Sequence, residues 1–406
     1  MNNNKEIIQV NISGDDKPGL TAALTSVLSK YDAFILDIGQ ANIHKSLTLG
    51  IMFETVADKS GFIMKDLLFE ASRLGVRIKF TPISFEEYDA WVGRQGKNRY
   101  IVTLLGRVVS AGDIAEITGV VATYGLNIDA IRRLSGRKPL DVLDSGVTCI
   151  ELSVRGVMTS AERIRFQEDL MEHCKSSLDI SFQVDNIYRR SRRLVCFDMD
   201  STLASTECID ELAKRAGVGD KVSAITASAM RGEIPFKESF RRRVALLEGL
   251  DASVMKEIAE NLPFNEGLER MMKVLKRVGY KTAILSGGFT YFANYAKEKF
   301  GFDYIYANEL EVKDGKFTGR YVGDIVDGEF KAAKLRELCE LEGIDLSQAV
   351  AVGDGANDLP MLGLAGLGIA YHAKPRVKAT ADQRLSSVGL EGILYFLGLK
   401  DSQVDP

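Results

Sequence analysis

Two aspartates stand at the end of an apolar run in Leu194-Val195-Cys196-Phe197-Asp198-Met199-Asp200-Ser201-Thr202-Leu203. Four to six apolar residues bounded by polar ones predict a buried strand. In a parallel α/β sheet, ligands gather where such strands end at their carboxyl side. Asp198 closes the strand and Asp200 lies just past it, so both carboxylates can face one cavity. Like charges in a poorly solvated site repel, and a divalent cation relieves that repulsion. Taken alone, the stretch fits two readings: a solvated turn and a metal site.

Further segments supply what this pair lacks. Ser286-Gly287-Gly288 follows a second apolar run, Lys331 lies at the start of a helical stretch, and Gly353-Asp354-Gly355-Ala356-Asn357-Asp358 follows another strand-like run. A doubly wound sheet would gather these ends at one edge. Donors that are all oxygen suit Mg²⁺, not zinc. Mg²⁺, a lysine and a serine beside open backbone N–H groups suit a phosphoryl group. An aspartate beside the metal can attack phosphorus and form an acyl phosphate. His44, His173 and His372 show no zinc-ligand spacing, so histidine-based catalysis is not expected.

Asp198-Met199-Asp200-Ser201-Thr202, Ser286, Lys331 and Gly353 to Asp358 resemble the four motifs of the haloacid dehalogenase superfamily. The segment from Leu194 to about Leu399 is similar to the phosphoserine phosphatase family within it. The resemblance implies that Asp198 attacks the phosphorus, while Asp200 protonates the leaving serine oxygen and then activates water. It implies Mg²⁺ held by Asp198, the backbone carbonyl of Asp200, and Asp354, with Asp358 orienting that shell. Ser286, Gly287 and Lys331 would bind phosphoryl oxygens. The insert at about 207–261 resembles the small helical cap of the same enzymes. There Glu207 matches the position that contacts the substrate ammonium, and Arg243 the two-pronged donor to its carboxylate. Met230 and Phe236 match apolar positions closing over the serine, and Asn357 a polar position near the substrate.

The expected activity is Mg²⁺-dependent hydrolysis of O-phospho-L-serine to L-serine and phosphate through an aspartyl-phosphate, the last step of serine biosynthesis. The alternatives are action on another small phosphomonoester, phosphoryl transfer to an alcohol acceptor, and an amino-acid sensor whose catalytic domain has become a binding module.

The elements that must position these residues begin at Leu194, where strands and helices alternate as in a parallel sheet. The expected strands are Leu194 to Phe197, Lys281 to Leu285, Tyr304 to Ala307, Ala349 to Val352 and Gly368 to Ala370. The long helical insert between the first two would sit over the carboxyl edge as a lid. Asp314-Gly315 signals a hairpin turn. Upstream, the pattern is β-α-β-β-α-β, and it occurs twice. A shift of 93 positions puts Gly19 on Gly112, Ala22 on Ala115, Tyr31 on Tyr124 and Ile35 on Ile128, which suggests duplication.

Both copies resemble the ACT regulatory domain, the first through Asp16-Lys17-Pro18-Gly19-Leu20 between its first strand and helix. That resemblance implies binding of a small amino acid, such as L-serine, near this loop, and a homodimer built partly through these domains. The second copy keeps only the glycine, in Val109-Ser110-Ala111-Gly112.

The fold expected is therefore α/β: a Rossmann-like, doubly wound core with a small helical cap at 194–406, preceded by α+β ferredoxin-like domains at 1–85 and 99–187. Glu86 to Asn98 and the arginine-rich Ile187 to Arg193 read as linkers, the latter solvated. His372 and Lys374-Pro375 read as a surface turn, and the glycine-rich Gly363 to Gly368 as packing.

With 406 residues, 46% of them hydrophobic, the chain can bury several cores. A net charge of −4 offers no global basic field to nucleic acid or a membrane surface, and no uninterrupted apolar window is long enough to span a bilayer. Five scattered cysteines without a CxxC pair, and no apolar signal core behind Met1, point to a reducing, cytoplasmic setting.

Overall fold

The computed structural model describes residues 4–93, 98–139, 146–175, 177–231, 233–374, 377, 381 and 383–404, with the Met230 side chain outside them. The chain forms two compact units, residues 1–97 and 98–406.

The first unit holds strands β1 (Lys5–Asp15), β2 (Phe34–Ile43), β3 (Ser46–Val56) and β4 (Arg77–Ile83) in one sheet of order β2-β3-β1-β4. All its pairings are antiparallel. Residues Val10, Ile12, Leu49 and Ile51 alternate inward along β1 and β3. They meet Leu20, Leu24 and Val27 of helix Leu20–Lys30 and Ile63, Leu67 and Ala71 of helix Ala57–Leu74 in one core. Gly75 ends the second helix in the left-handed region at φ 72°, where a glycine carries no Cβ penalty. The polar stretch after β4 is not simply a linker. It contains helix Phe85–Val92, started by a capping box in which the Ser84 hydroxyl accepts from Glu87 N and the Glu87 carboxylate accepts from Ser84 N.

The second unit begins with β5 (Arg99–Gly106), β6 (Asn127–Arg133), β7 (Thr148–Arg155) and β8 (Leu178–Val184), in the order β6-β7-β5-β8. This is the topology of the first sheet, position for position. The remainder is built on β9 (Leu194–Phe197), β10 (Lys281–Phe289), β11 (Tyr304–Lys313), β12 (Lys316–Val322), β13 (Ala349–Gly353), β14 (Leu367–Tyr371) and β15 (Gln383–Leu385). Their order is β12-β11-β10-β9-β13-β14-β15. Every neighbouring pair is parallel except β11 with β12, which are joined by a tight turn with Asp314 and Gly315 both at positive φ. The chain reverses direction around β9, which lies between β10 and β13, and this switch point is where an open α/β sheet forms its ligand crevice. The insert after β9 consists of helices Cys208–Arg215, Gly219–Met230, Phe236–Ala245 and Val254–Glu260. The Gly363 to Gly368 run is packing: a Cβ at Gly366 would meet Ser347 O and one at Gly368 would meet Leu362 O.

Within this unit the four-stranded sheet is fused to the parallel one. Leu105, Leu134, Val147 and Cys149 belong to the same hydrophobic cluster as Val195, Phe197 and Ile393. The Gln383 amide on β15 accepts from Phe182 N at 3.0 Å and donates to Phe182 O at 2.6 Å. Buried Asp179 accepts from Ser386 N, Ser387 N and Ser387 Oγ at 2.8, 2.7 and 2.6 Å. The arginine-rich connection is accordingly not solvated throughout. Arg189 and Arg192 are buried because the chain between two packed bodies runs through their junction. Among the described residues, no helix is long and apolar enough to cross a membrane.

Candidate active site

Strand β9 is buried along its whole length and delivers Asp198 to the crevice. The Asp198 N–H donates to Val352 O at 2.8 Å, locking the strand end to β13. The chain then turns sharply: the N–H groups of Thr202, Leu203 and Ala204 all point at Met199 O, with Ser201 at φ 59°. This turn carries Asp200 back over the same cavity. The cavity is about 790 Å³ and is lined by Asp198, Asp200, Gly287, Asp354 and Asn357 from the sheet edge, and by Glu207, Phe236 and Arg243 from the insert.

Lys331 is the organising cation. It sits on helix Gly328–Leu341, capped by Asp327, and its side chain is fully buried. Its Nζ lies 2.9 Å from Asp198 Oδ1 and 2.6 Å from Asp358 Oδ1. Burial works against its charge, but the two carboxylates outweigh that and hold the ammonium above its ordinary range. Asp358 uses its other oxygen to accept from the N–H groups of Asp354 and Gly355 at 3.1 and 2.9 Å. It fixes the loop and Lys331 together. A Cβ on Gly353 would sit 2.5 Å from the Asp358 carboxyl carbon, so the glycine is required for this approach.

The two carboxylates of the opening pair are in different environments. Asp198 Oδ1 accepts from Met199 N at 2.7 Å as well as from Lys331. Burial, then the charge of Asp358, push its pKa well up against the pull of Lys331. Asp200 Oδ1 accepts from Cys208 N at 3.1 Å. Burial and the Glu207 charge raise its pKa to about 7. Gly288 makes room for it, since a Cβ there would lie 2.5 Å from Asp200 Oδ2. Ser286 is buried, its Oγ accepting from Gly288 N at 2.9 Å.

Asp198, Asp354 and Asp358 each offer a carboxylate oxygen within 4.8 Å of the others. Asp354 is raised to about 6, chiefly by burial. The Asp200 carboxylate stands outside this cluster.

On the insert, Glu207 Oε1 accepts from Ser201 Oγ at 3.0 Å. The Arg243 guanidinium makes only a long contact to Ser239 O at 3.4 Å and has no carboxylate partner among the described residues. Burial lowers its pKa, countered by Glu207 and Asp210. A charged fork and a carboxylate thus face one cavity without neutralising each other directly. Met230 closes helix Gly219–Met230, but its side chain lies outside the described residues.

Two residues of the site escaped the sequence reading. Lys374 is not on a surface turn: its Nζ lies 3.1 Å from Asp354 Oδ2 and 3.6 Å from Glu207 Oε1, and its own N–H, donating to Asp354 O at 3.1 Å, holds it against the acidic loop. No motif marked it. Asn308 is buried at the start of the β11–β12 hairpin. Its amide donates to Gly287 O and Gly288 O at 2.8 and 3.2 Å and accepts from Val326 N at 2.8 Å. It holds the Ser286-Gly287-Gly288 turn in place, and a lone asparagine in a strand gives no signal of that task.

A switch-point crevice with an Asp-x-Asp turn, a buried lysine and an acidic loop defines the class of hydrolase. Residues 195–363 match the haloacid dehalogenase-like hydrolase family, and residues 6–81 and 99–183 each match the ACT domain. Over 405 residues the chain is 36% identical to the phosphoserine phosphatase SerB2 of Mycobacterium tuberculosis, covering 99% of this chain and 95% of that protein. It is 37% identical to the phosphoserine phosphatase of Streptomyces coelicolor, covering 98% and 93%. Among solved structures, a probable phosphoserine phosphatase from Vibrio cholerae in unliganded form superposes with a TM-score of 0.57 at 33% identity, covering 74% of this chain and 86% of that one. The chain belongs to the phosphoserine phosphatase family of haloacid dehalogenase-like hydrolases.

Proposed function

We propose that this enzyme hydrolyses O-phospho-L-serine to L-serine and phosphate, as the last step of serine biosynthesis. The observation that carries the reading is a single cavity bearing Asp198, backed by the buried Lys331 at 2.9 Å, on the sheet side and Glu207 and Arg243 on its insert side. The first pair suits a phosphoryl group and the second a zwitterionic amino acid.

Asp198 is the nucleophile. Lys331 holds its Oδ1, leaving Oδ2 without a partner among the described residues and available to attack phosphorus. As the new O–P bond forms, the bond to the serine oxygen breaks, and Asp200 gives that oxygen its proton. Asp200 then takes a proton from the water that attacks the aspartyl-phosphate, releasing phosphate and restoring Asp198. A carboxyl held near 7 can serve in both directions. Ser286, the Gly287 N–H and Lys331 bind phosphoryl oxygens. Glu207 takes the ammonium, Arg243 the carboxylate, Phe236 closes over the substrate, and Asn357 lies near it.

The donor chemistry fits Mg²⁺: three buried carboxylates converge, and only oxygen is offered. Asp198, Asp354 and the Asp200 carbonyl would hold it, with Asp358 orienting them. Bound there, the ion offsets the negative charge of carboxylates and phosphoryl oxygens.

The division into domains at 1–85, 99–187 and 194–406 belongs to this reading. So do amino-acid regulation through the ACT domains, a homodimer and a cytoplasmic setting; the two ACT matches support the first of these. The test is phosphate release from a panel of phosphomonoesters, with Mg²⁺ and with chelator, for the wild type and Arg243→Ala. Preference for phosphoserine, lost with chelator and flattened in the variant, is expected. A flat panel for the wild type would reassign the substrate.

A further inference from the structure

A second cavity, about 310 Å³, lies at the junction of the second ACT fold and the parallel sheet. Arg163, Arg189 and Arg192 line it, and among the described residues no carboxylate does. Arg189 pairs with buried Glu151 at 2.7 Å, so its charge is balanced. Arg192 is 3% exposed and has no acidic partner among the described residues. Its Nη1 donates to the neutral Gln183 Oε1 at 2.9 Å, and its Nη2 reaches Gly366 O only at 3.5 Å. The Nε atoms of Arg189 and Arg192 are buried without a partner among the described residues. Arg163 stands exposed on helix Ser160–Glu172, with no ion pair among the described residues.

Burial and the Arg189 charge bring Arg192 down to about 10, which still leaves it charged at neutral pH. A buried guanidinium without a counter-charge is costly. The junction contains one such charge, Arg192, beside unused N–H donors, and a second guanidinium without an ion pair among the described residues, Arg163, stands exposed at the rim. An incoming anion would satisfy both the charge and the donors.

We propose that this cavity is a binding site for a small phosphate dianion, free or as a phosphomonoester. The charge count favours a dianion over a carboxylate, because two guanidiniums, one buried and one at the rim, lack an acidic partner among the described residues. Planar guanidinium forks match tetrahedral phosphate oxygens. The walls come from both bodies, Arg163 from the ACT fold and Ser347 and Gly366 from the core. Occupancy therefore ties the two bodies together and stabilises the unit by mass action. The assignment stands independently of the substrate chosen at the active site.

Calorimetric titration of the full chain with inorganic phosphate, and separately with glycerol phosphate, tests it. Two classes of site are expected in the wild type. Arg192→Gln weakens one class at least tenfold and Arg163→Gln at least threefold, while kcat/KM for phosphoserine and the other class stay unchanged. The tighter of the two titrants names the source. Arg163→Gln, on an exposed helix face, keeps the test decisive if Arg192→Gln fails to fold. A single class in the wild type, a second class indifferent to Arg163→Gln, or a cavity that binds acetate as tightly as phosphate would each overturn the proposal. Loss of phosphoserine preference with the cavity class intact would instead count against the substrate assignment alone.

Discussion

The two ACT folds share one topology and differ in what their sheets touch. In the first, β1 alternates buried and accessible residues, and β2 is exposed almost throughout. Phe34 and Ile43 are 67% and 80% exposed. In the second, β5 is buried from Tyr100 to Gly106 and β8 from Leu178 to Gln183. A sheet covered on one face alternates, and one covered on both reads as a continuous run. The contrast is written in the residues: Gln9, Asn11 and Ser13 interrupt β1, whereas β5 runs Tyr-Ile-Val-Thr-Leu-Leu. The same fold thus forms a compact unit of its own in the first case and part of the wall of the catalytic unit in the second.

The largest expected effect that tests this contrast comes from truncation. Fragment 98–406 should melt within about 3 °C of the full chain's main transition. Fragment 188–406, stripped of its cover, should melt about 10 °C or more below that, or fail to fold. Equal melting of the two fragments would break the comparison. Next in size is Asp179→Ala, which leaves two half-buried N–H groups without their acceptor, while the Ser387 hydroxyl keeps only Leu105 O. It should cost about 2–3 kcal/mol by urea denaturation. Gln383→Ala frees Phe182 N and O and should cost about 1–2 kcal/mol. The smallest effect belongs to the first fold: Phe34→Ser on its open face should stay within about 0.5 kcal/mol. A larger loss there would mean that the face is covered.

Legibility followed contiguity. Asp198 with Asp200, and Asp354 with Asp358, were visible because each pair lies within five residues at a strand end. The strands β9 and β13 were visible because they are short unbroken apolar runs. The two ACT folds were readable from periodicity, and the 93-residue shift carries β2 onto β6. What escaped depends on tertiary neighbours. β15 is three residues long and carries Gln383 and Arg384, so no pattern announces it. Arg189 and Arg192 read as a solvated run because their burial is imposed by two bodies meeting around them. Lys374 and Asn308 are single polar residues whose partners lie far away in sequence. Helix Phe85–Val92 was the readable miss: Ser84 followed by Glu87 is a capping-box signature.

The proposed covalent mechanism requires Asp198 to accept the phosphoryl group. Rapid acid quench of the full enzyme during turnover of phosphoserine labelled at phosphorus tests this directly. The label should be found on residue 198 in the wild type. Asp198→Asn should show neither label nor turnover, with activity down by roughly three orders of magnitude or more. A labelled residue elsewhere, or near-normal turnover in Asp198→Asn, would contradict the covalent mechanism.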